Sequence, residues 1–268
     1  MSGTSNERIT ESTPIKALDG LTPPVARTVR GNRRAPYRIG QWKKHLDPTK
    51  LEPCEYGYHY VTGLDVLEWL EHDLYVVEAC PDHPPVNAGN KWVSCRLKIV
   101  CPVPNWDDRA RRLFAADCAE SALLAERVCG REPDPRSWEA VSMARRYAAG
   151  DAMVEELTSA SAAAWATAWA SARASAEAAA RASAGGSAEA AAWAAVKYVA
   201  EAAAWAAASG AWAAASGAWA AAWAAAKRVG GAGSESANAT FYARWLAYVN
   251  GDPIPPVEPL YGGERREE

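Results

Sequence analysis

The chain of 268 residues carries 29 Lys or Arg and 32 Asp or Glu, which gives a formal net charge of −3. This balance argues against a protein wholly dedicated to nucleic acid, and the length permits one large or two modest domains with a buried core. The chain has thirteen tryptophans and ten tyrosines but only two phenylalanines. Alanine and tryptophan together make up most of its apolar residues.

Residues 1–36 are polar, rich in Ser, Thr, Pro and Arg, and lack periodicity, which predicts a disordered basic tail. The first residues contain no apolar segment typical of a secretory signal, so we expect a cytoplasmic location and reduced thiols. We interpret the six cysteines as small buried hydrophobic residues: Cys54, Cys80, Cys95, Cys101, Cys118 and Cys129.

A strongly basic stretch runs from Arg27 to Lys50, where Asp47 is the only acidic residue. It is either a contact for nucleic acid or an acidic partner, or a solvated flank that keeps the chain soluble. Tyr37 and Trp42 are its only aromatic residues, which gives base stacking little support. The candidate binding residues are Arg30, Arg33, Arg34, Arg38, Lys43 and Lys44.

Residues 37–104 are predicted to form a small α+β domain. Aromatic and β-branched content indicates strands over 56–61 and 74–79, and leucines three apart predict a short helix over 64–70. Residues 91–101 show apolar residues at alternate positions, which predicts one long strand. Its apolar face would be Val93, Cys95, Leu97, Ile99 and Cys101, with Ser94, Arg96 and Lys98 opposite.

The periodicity then becomes helical, and residues 105–250 are predicted to form an all-α bundle, followed by a flexible tail over 251–268. Asn105 or Asp107 can cap a helix that ends near Val128. A second helix is expected from Pro135 to Gly150, a third from residue 151 into the alanine-rich region, and a final one over 238–249.

Residues 159–229 are mostly alanine punctuated by tryptophan. Tyr198, Trp205, Trp212 and Trp219 are spaced by seven, which places them on one helical face. Core packing in an alanine-type bundle is our first interpretation, a homo-oligomer seam the second, and a flat ligand-binding face the third. The run 202–226 has no charge but consists largely of alanine, so we favour a buried helix over a membrane-spanning one.

Two stretches resemble known proteins. The helical half resembles the immunity proteins of bacterial polymorphic toxin systems, through LFAADCAE at 113–120, DPRSWEA at 134–140, ARRYAAG at 144–150 and FYARWLAY at 241–248. Residues 53–59, 64–70 and 74–78 resemble a small domain of actinobacterial and phage proteins. The resemblance implies an alanine-rich helical array that binds a protein. This chain departs from that family, because it has no histidine after His83 and has tryptophan in excess instead.

Two chemical sites are conceivable in the smaller domain. Cys54, His59, Cys80 and His83 have the ligand types of a zinc site, although their spacing is irregular. Alternatively, His59 and Tyr60 could hold a nucleotide while Glu78 acts as an acid, as in transferases. The plain interpretation is that His59 is a hydrogen-bonded strand residue, and we expect no cofactor.

In the helical half, Asp117 lies on an otherwise apolar stripe, so it should face the interior and require a donor such as Arg136 or Arg145. We expect a buried structural ion pair there. The sequence therefore predicts an α+β protein that is non-enzymatic and occludes a protein partner. The alternative is a nucleotide-using enzyme or nucleic-acid-associated factor centred on His59 and the basic stretch.

Overall fold

The computed structural model describes residues 8–18, 37–70, 73–128, 132–164, 166 and 231–259. It divides into two compact units, the first comprising Met1–Trp106 with Leu246–Pro253, and the second Asp107–Trp245 with Ile254–Glu268. The described part contains both antiparallel sheets and helices, so the fold class is α+β. Within these residues, no helix is both long enough and apolar enough to cross a bilayer.

The first unit contains two three-stranded antiparallel sheets. One sheet consists of β1 (Ile15–Leu18), β3 (Asp73–Ala79) and β6 (Leu97–Pro102), in the order β1-β3-β6. The other consists of β2 (Tyr58–Tyr60), β4 (Val86–Asn87) and β5 (Trp92–Ser94), in the order β2-β5-β4. Ile15 and Val61 exchange backbone hydrogen bonds of 2.8 Å and thereby join the two sheets.

The single long strand expected over residues 91–101 is wrong, because the chain breaks between β5 and β6. Ser94, predicted to face solvent, is buried, and its hydroxyl donates to the Arg96 carbonyl at 2.8 Å while accepting from the Cys80 amide at 3.1 Å. A serine that bonds its own neighbouring backbone competes with the ladder and lets the strand change sheets. The alternation of Val93, Cys95, Leu97 and Ile99 holds, since all four are buried.

The predicted short helix forms as a 3₁₀ helix over Gly63–Trp69, and Leu64 is exposed while Leu67 and Leu70 are buried. A second 3₁₀ turn, Pro48–Lys50, begins at Asp47, whose side chain accepts from the Thr49 amide. One hydrophobic core cluster of the first unit is rich in phenol rings. Its buried members are Leu18, Tyr37, Tyr58, Tyr60, Tyr75, Val77, Leu97 and Ile99.

A disordered tail was expected over residues 1–36, and the structure contradicts this where residues 15–18 form a strand. Ile15–Leu18 forms β1, and Ile9 is buried. The Asn250 side chain donates to the Ile9 carbonyl at 3.0 Å and accepts from the Ile9 amide at 2.9 Å, while Arg8 and Asp252 form an ion pair. These contacts hold residues from both ends of the sequence within the first unit.

The second unit is mainly helical where it is described. It contains α1 (Asp108–Val128), α2 (Pro135–Ala149), α3 with residues 154–164 and 166 described, and α4 (Gly231–Asn250), which continues into the first unit. Asp107 caps α1 by accepting from the Ala110 amide at 2.8 Å, and Asp134 caps α2. Gly150 ends α2 in the left-handed conformation, with φ of 85°, as its position predicts.

Small side chains allow α1 to be buried around much of its circumference. Ala115, Ala116 and Ala119 are all fully inaccessible, as are Phe114 and Cys118. On α4, Phe241, Tyr242, Trp245 and Val249 are buried, and Leu246 is half-buried. The heptad-spaced aromatic residues at 198–219 and the uncharged run 202–226 lie outside the described residues.

Candidate functional site

A strip of positive charge lines the outer edge of the first sheet. The segment 37–46 runs back along β6, where the amides of Gly40, Lys43 and Leu46 donate to the carbonyls of Ile99, Leu97 and Cys95 at 2.8–2.9 Å. This pairing brings the basic residues of the segment beside those of β6 and the residue just before β6. We call the resulting set the basic edge: Arg38, Lys43, Lys44, Arg96 and Lys98.

The charges of the basic edge are only partly neutralised. Lys98 forms an ion pair with Glu78. Arg38 and Lys44 are exposed, and their side chains have no ionic partner among the described residues. Of the remaining candidates, Arg30, Arg33 and Arg34 lie outside the described residues. The described part of the basic stretch therefore offers two uncompensated cations to solvent.

The aromatic rings of this edge are engaged within the protein. The guanidinium of Arg96 and the ammonium of Lys98 lie 4.8 and 4.9 Å from the ring centroid of Trp42. The Lys43 ammonium lies 4.6 Å from the ring of Tyr37, which is buried in the core. Cation–π contacts of this kind hold long basic side chains in place.

Three potential metal ligands meet next to the basic edge. His45 Nε2 lies 3.7 Å from Cys95 Sγ and 3.9 Å from Cys80 Sγ, and the three ligand atoms lie within 4.8 Å of one another. The two thiols are buried, whereas His45 is exposed. Burial raises the pKa of the Cys95 thiol to about 11, and a hydrogen bond with Cys80 adds to the shift. We call this set the thiol–imidazole cluster.

The sequence-based zinc set is divided by the structure. Cys80 belongs to the thiol–imidazole cluster, and the His83 ring lies 5.7 Å from that of His45, centroid to centroid. Cys54 and His59 lie apart from this cluster: His59 is on β2, and its Nε2 accepts from the amide of Cys54, in the turn before that strand, at 2.9 Å. Cys54 is exposed beside Lys91, at 3.0 Å from Sγ to Nζ, so its predicted burial is wrong.

Sequence reasoning missed His45 and Cys95 as partners of Cys80. They lie 35 residues before it and 15 residues after it, a spacing typical of no metal motif. The pairing of segment 37–46 with β6 brings them together, through the bond from the Leu46 amide to the Cys95 carbonyl. Only the Cys-x₂-His spacing of Cys80 and His83 was a local signal.

The three candidate catalytic residues have other partners. Tyr60 lies in the core, where burial raises the pKa of its phenol. Glu78 pairs with Lys98. The backbone carbonyl of His59 accepts from the buried Lys16 ammonium at 2.6 Å, and its ring accepts from the Cys54 turn. These contacts are structural in character, as the plain interpretation of His59 anticipates.

The predicted buried ion pair of the second unit is present with a different membership. The Asp117 carboxylate accepts from Arg145 at 2.8 Å and from Arg244 at 2.9 Å, and Arg145 also pairs with Glu120. Arg136 does not belong to this network, because it forms an exposed pair with Asp134. Burial raises the pKa of the neighbouring Cys118 thiol well above its ordinary value, and the Asp117 charge adds to the shift.

Comparison of the chain with models of protein families, with curated proteins and with solved structures finds no match.

Proposed function

We propose that this chain is a non-enzymatic recognition protein that binds and occludes an acidic protein partner through the basic edge. The observation that carries the proposal is the exposure of Arg38 and Lys44 without an ionic partner among the described residues. Uncompensated cations on an ordered sheet edge raise the rate of encounter with an acidic surface and fix its orientation.

A protein partner is favoured over nucleic acid because the aromatic rings beside the basic edge, Tyr37 and Trp42, are not available for base stacking. Single-stranded nucleic acids are bound mainly by phosphate contacts combined with stacking of bases on aromatic side chains. Here Tyr37 is buried and the ring of Trp42 is covered by Arg96 and Lys98. The net charge of −3 also disfavours a surface that is broadly attractive to polyanions.

The proposal extends to the helical part and to the cell compartment. We infer that residues 105–250 form an alanine- and tryptophan-rich bundle, which the close burial of alanines along α1 supports. The resemblance to immunity proteins supports a protein target for such an array.

Free thiols at Cys80 and Cys95 are typical of a reducing compartment, so we place the protein in the cytoplasm.

Affinity capture from the native host tests the proposal. The bait is the full chain, either unchanged or as Arg38→Glu/Lys44→Glu, and the lysate is treated with nuclease. The matched control, Arg109→Glu/Arg136→Glu, makes the same charge change on exposed residues of α1 and α2. We expect one acidic protein to be recovered with the unchanged chain and the control, and to be lost with Arg38→Glu/Lys44→Glu. Recovery that depends on nucleic acid, or that survives charge reversal, would contradict the proposal.

A further inference from the structure

We propose that His45, Cys80 and Cys95 bind a zinc ion, with His83 as the fourth ligand. The inference does not depend on the proposed function, and it replaces the expectation that the chain binds no cofactor. It begins from the thiol–imidazole cluster, in which two buried thiols and one imidazole nitrogen converge from three separate segments.

The distances match those of a tetrahedral zinc site. With Zn–S bonds of about 2.3 Å and Zn–N bonds of about 2.0–2.1 Å, tetrahedral angles place sulfur and nitrogen ligands about 3.6 Å apart. The two observed separations from His45 Nε2 are 3.7 and 3.9 Å. The two sulfur–nitrogen separations therefore need to change by only a few tenths of an ångström, and the two sulfur atoms lie within 4.8 Å of each other.

His83 is placed to complete the coordination. Two imidazoles that bind one tetrahedral zinc have ring centroids about 5 Å apart, and the rings of His45 and His83 are 5.7 Å apart with an interplanar angle of 58°. His83 is not among the three converging ligands, so its side chain would have to rotate to bring a ring nitrogen to the ion. Binding converts two thiols to thiolates and releases two protons to solvent, while both imidazoles bind in their neutral form.

The arrangement favours a structural zinc over a catalytic one. A set of two cysteines and two histidines fills all four positions and leaves none for substrate or water. The ion would join segment 37–46, which carries His45, to the ends of β3 and β5, near Cys80 and Cys95. It would therefore hold the basic edge against the sheet. The exposure of His45 gives zinc a route of entry.

The competing account is that the imidazole and the thiols make weak hydrogen bonds only. Metal binding separates the two accounts. The full chain, with any affinity tag removed, is reduced and stripped with a chelator, then titrated with zinc and separately with cobalt(II). Zinc retained after gel filtration is measured by atomic spectroscopy. Cobalt reports its ligands by thiolate charge-transfer bands and by the intense visible absorption of a tetrahedral complex.

We expect one zinc per chain and a tetrahedral cobalt spectrum with thiolate bands. His45→Ala changes an exposed residue, so folding should be retained while zinc affinity falls at least about a hundredfold, since even groups one step removed from a metal change affinity 10–100-fold. Cys80→Ser and Cys95→Ser should behave alike, whereas the control Cys54→Ser should bind as the unchanged chain does.

Three results would overturn the inference: no zinc retained, cobalt bound without thiolate bands, or full affinity in His45→Ala. Because Cys80 and Cys95 are buried, their serine variants could fail to fold, and the exposed His45 then carries the test. His83→Ala should weaken binding while leaving thiolate bands in the cobalt spectrum. Unchanged affinity in that variant would remove His83 from the site.

Discussion

Asp117 on α1 and Arg244 on α4 form a buried ion pair across 127 residues of sequence, with Nη1 and Oδ2 2.9 Å apart. Both residues are almost inaccessible, at 1% and 2% exposure. Arg244 also donates to the Pro256 carbonyl at 2.7 Å, and Arg145 satisfies the other Asp117 oxygen. The pair therefore fixes α1 against α4 through charges that have little access to water.

Asp117→Asn should destabilise the second unit by about 3–5 kcal/mol, because it leaves the buried Arg244 guanidinium without its counter-charge. Urea unfolding followed by circular dichroism measures the change. Glu132→Gln is the matched control, since Glu132 pairs with Arg127 at an exposed position where water screens the charges, and its loss should change stability little. Equal effects of the two substitutions would show that the Asp117 network contributes little.

Gly57→Ala should destabilise the first unit more than Gly89→Ala does. Both glycines have positive φ, at 146° and 81°, so alanine is strained at either position. A Cβ at Gly57 would lie 2.1 Å from Val93 Cγ1, whereas nothing lies within 4 Å at Gly89. We expect the clash to add about 1–3 kcal/mol. Thermal unfolding of both variants measures it, and equal midpoints would contradict the packing at Val93.

Tyr60 and Tyr75 should make the first unit sensitive to alkaline pH. Burial raises the pKa of both phenols above the ordinary 10.0, and the Asp73 charge adds to the shift at Tyr75. The unfolded chain then loses these protons at lower pH than the folded chain. The contribution of these two phenols to the free energy of unfolding is fully present below pH 10 and is lost as the pH rises above 10.

Tyr60→Phe/Tyr75→Phe should therefore flatten the decline in unfolding free energy above pH 10, measured by urea titrations at successive pH values. A decline as steep as that of the unchanged chain would show that other groups cause it.

Asn250→Ala should release residues 8–14 from the first unit. The substitution removes both hydrogen bonds to Ile9 and should cost about 1–3 kcal/mol, because it leaves partly buried backbone groups unpaired. Limited proteolysis should then cleave near Arg8 faster than in the unchanged chain. Asn90→Ala, which removes an exposed bond to Glu68, is the control and should leave cleavage unaltered.

Local signals predicted the elements that depend on local chemistry. Asp107 and Gly150 each marked a helix end, and the apolar alternation correctly identified Val93, Cys95, Leu97 and Ile99 as buried. The break at Ser94 was missed because it depends on a hydroxyl hydrogen bond to the backbone, which a pattern of apolar residues does not reveal.

Long-range pairing accounts for what the sequence could not predict. Asp117 needed a donor, and Arg145 was named from the next helix, but Arg244 lies 127 residues away on a helix whose packing no periodicity specifies. The thiol–imidazole cluster has the same cause. His45 reaches Cys95 only through the register of segment 37–46 against β6, and a one-residue slip would separate them.

The salt dependence of partner binding tests the central claim most directly. The dissociation constant for the captured partner should be measured at several salt concentrations with the unchanged chain, Arg38→Glu/Lys44→Glu and Arg109→Glu/Arg136→Glu. We predict that the first variant binds at least about tenfold more weakly at low salt, because like charges then face each other. It should also lose most of the salt dependence, because the attraction that salt screens is gone. The control should bind as the unchanged chain does. An unchanged constant in Arg38→Glu/Lys44→Glu would contradict recognition through the basic edge.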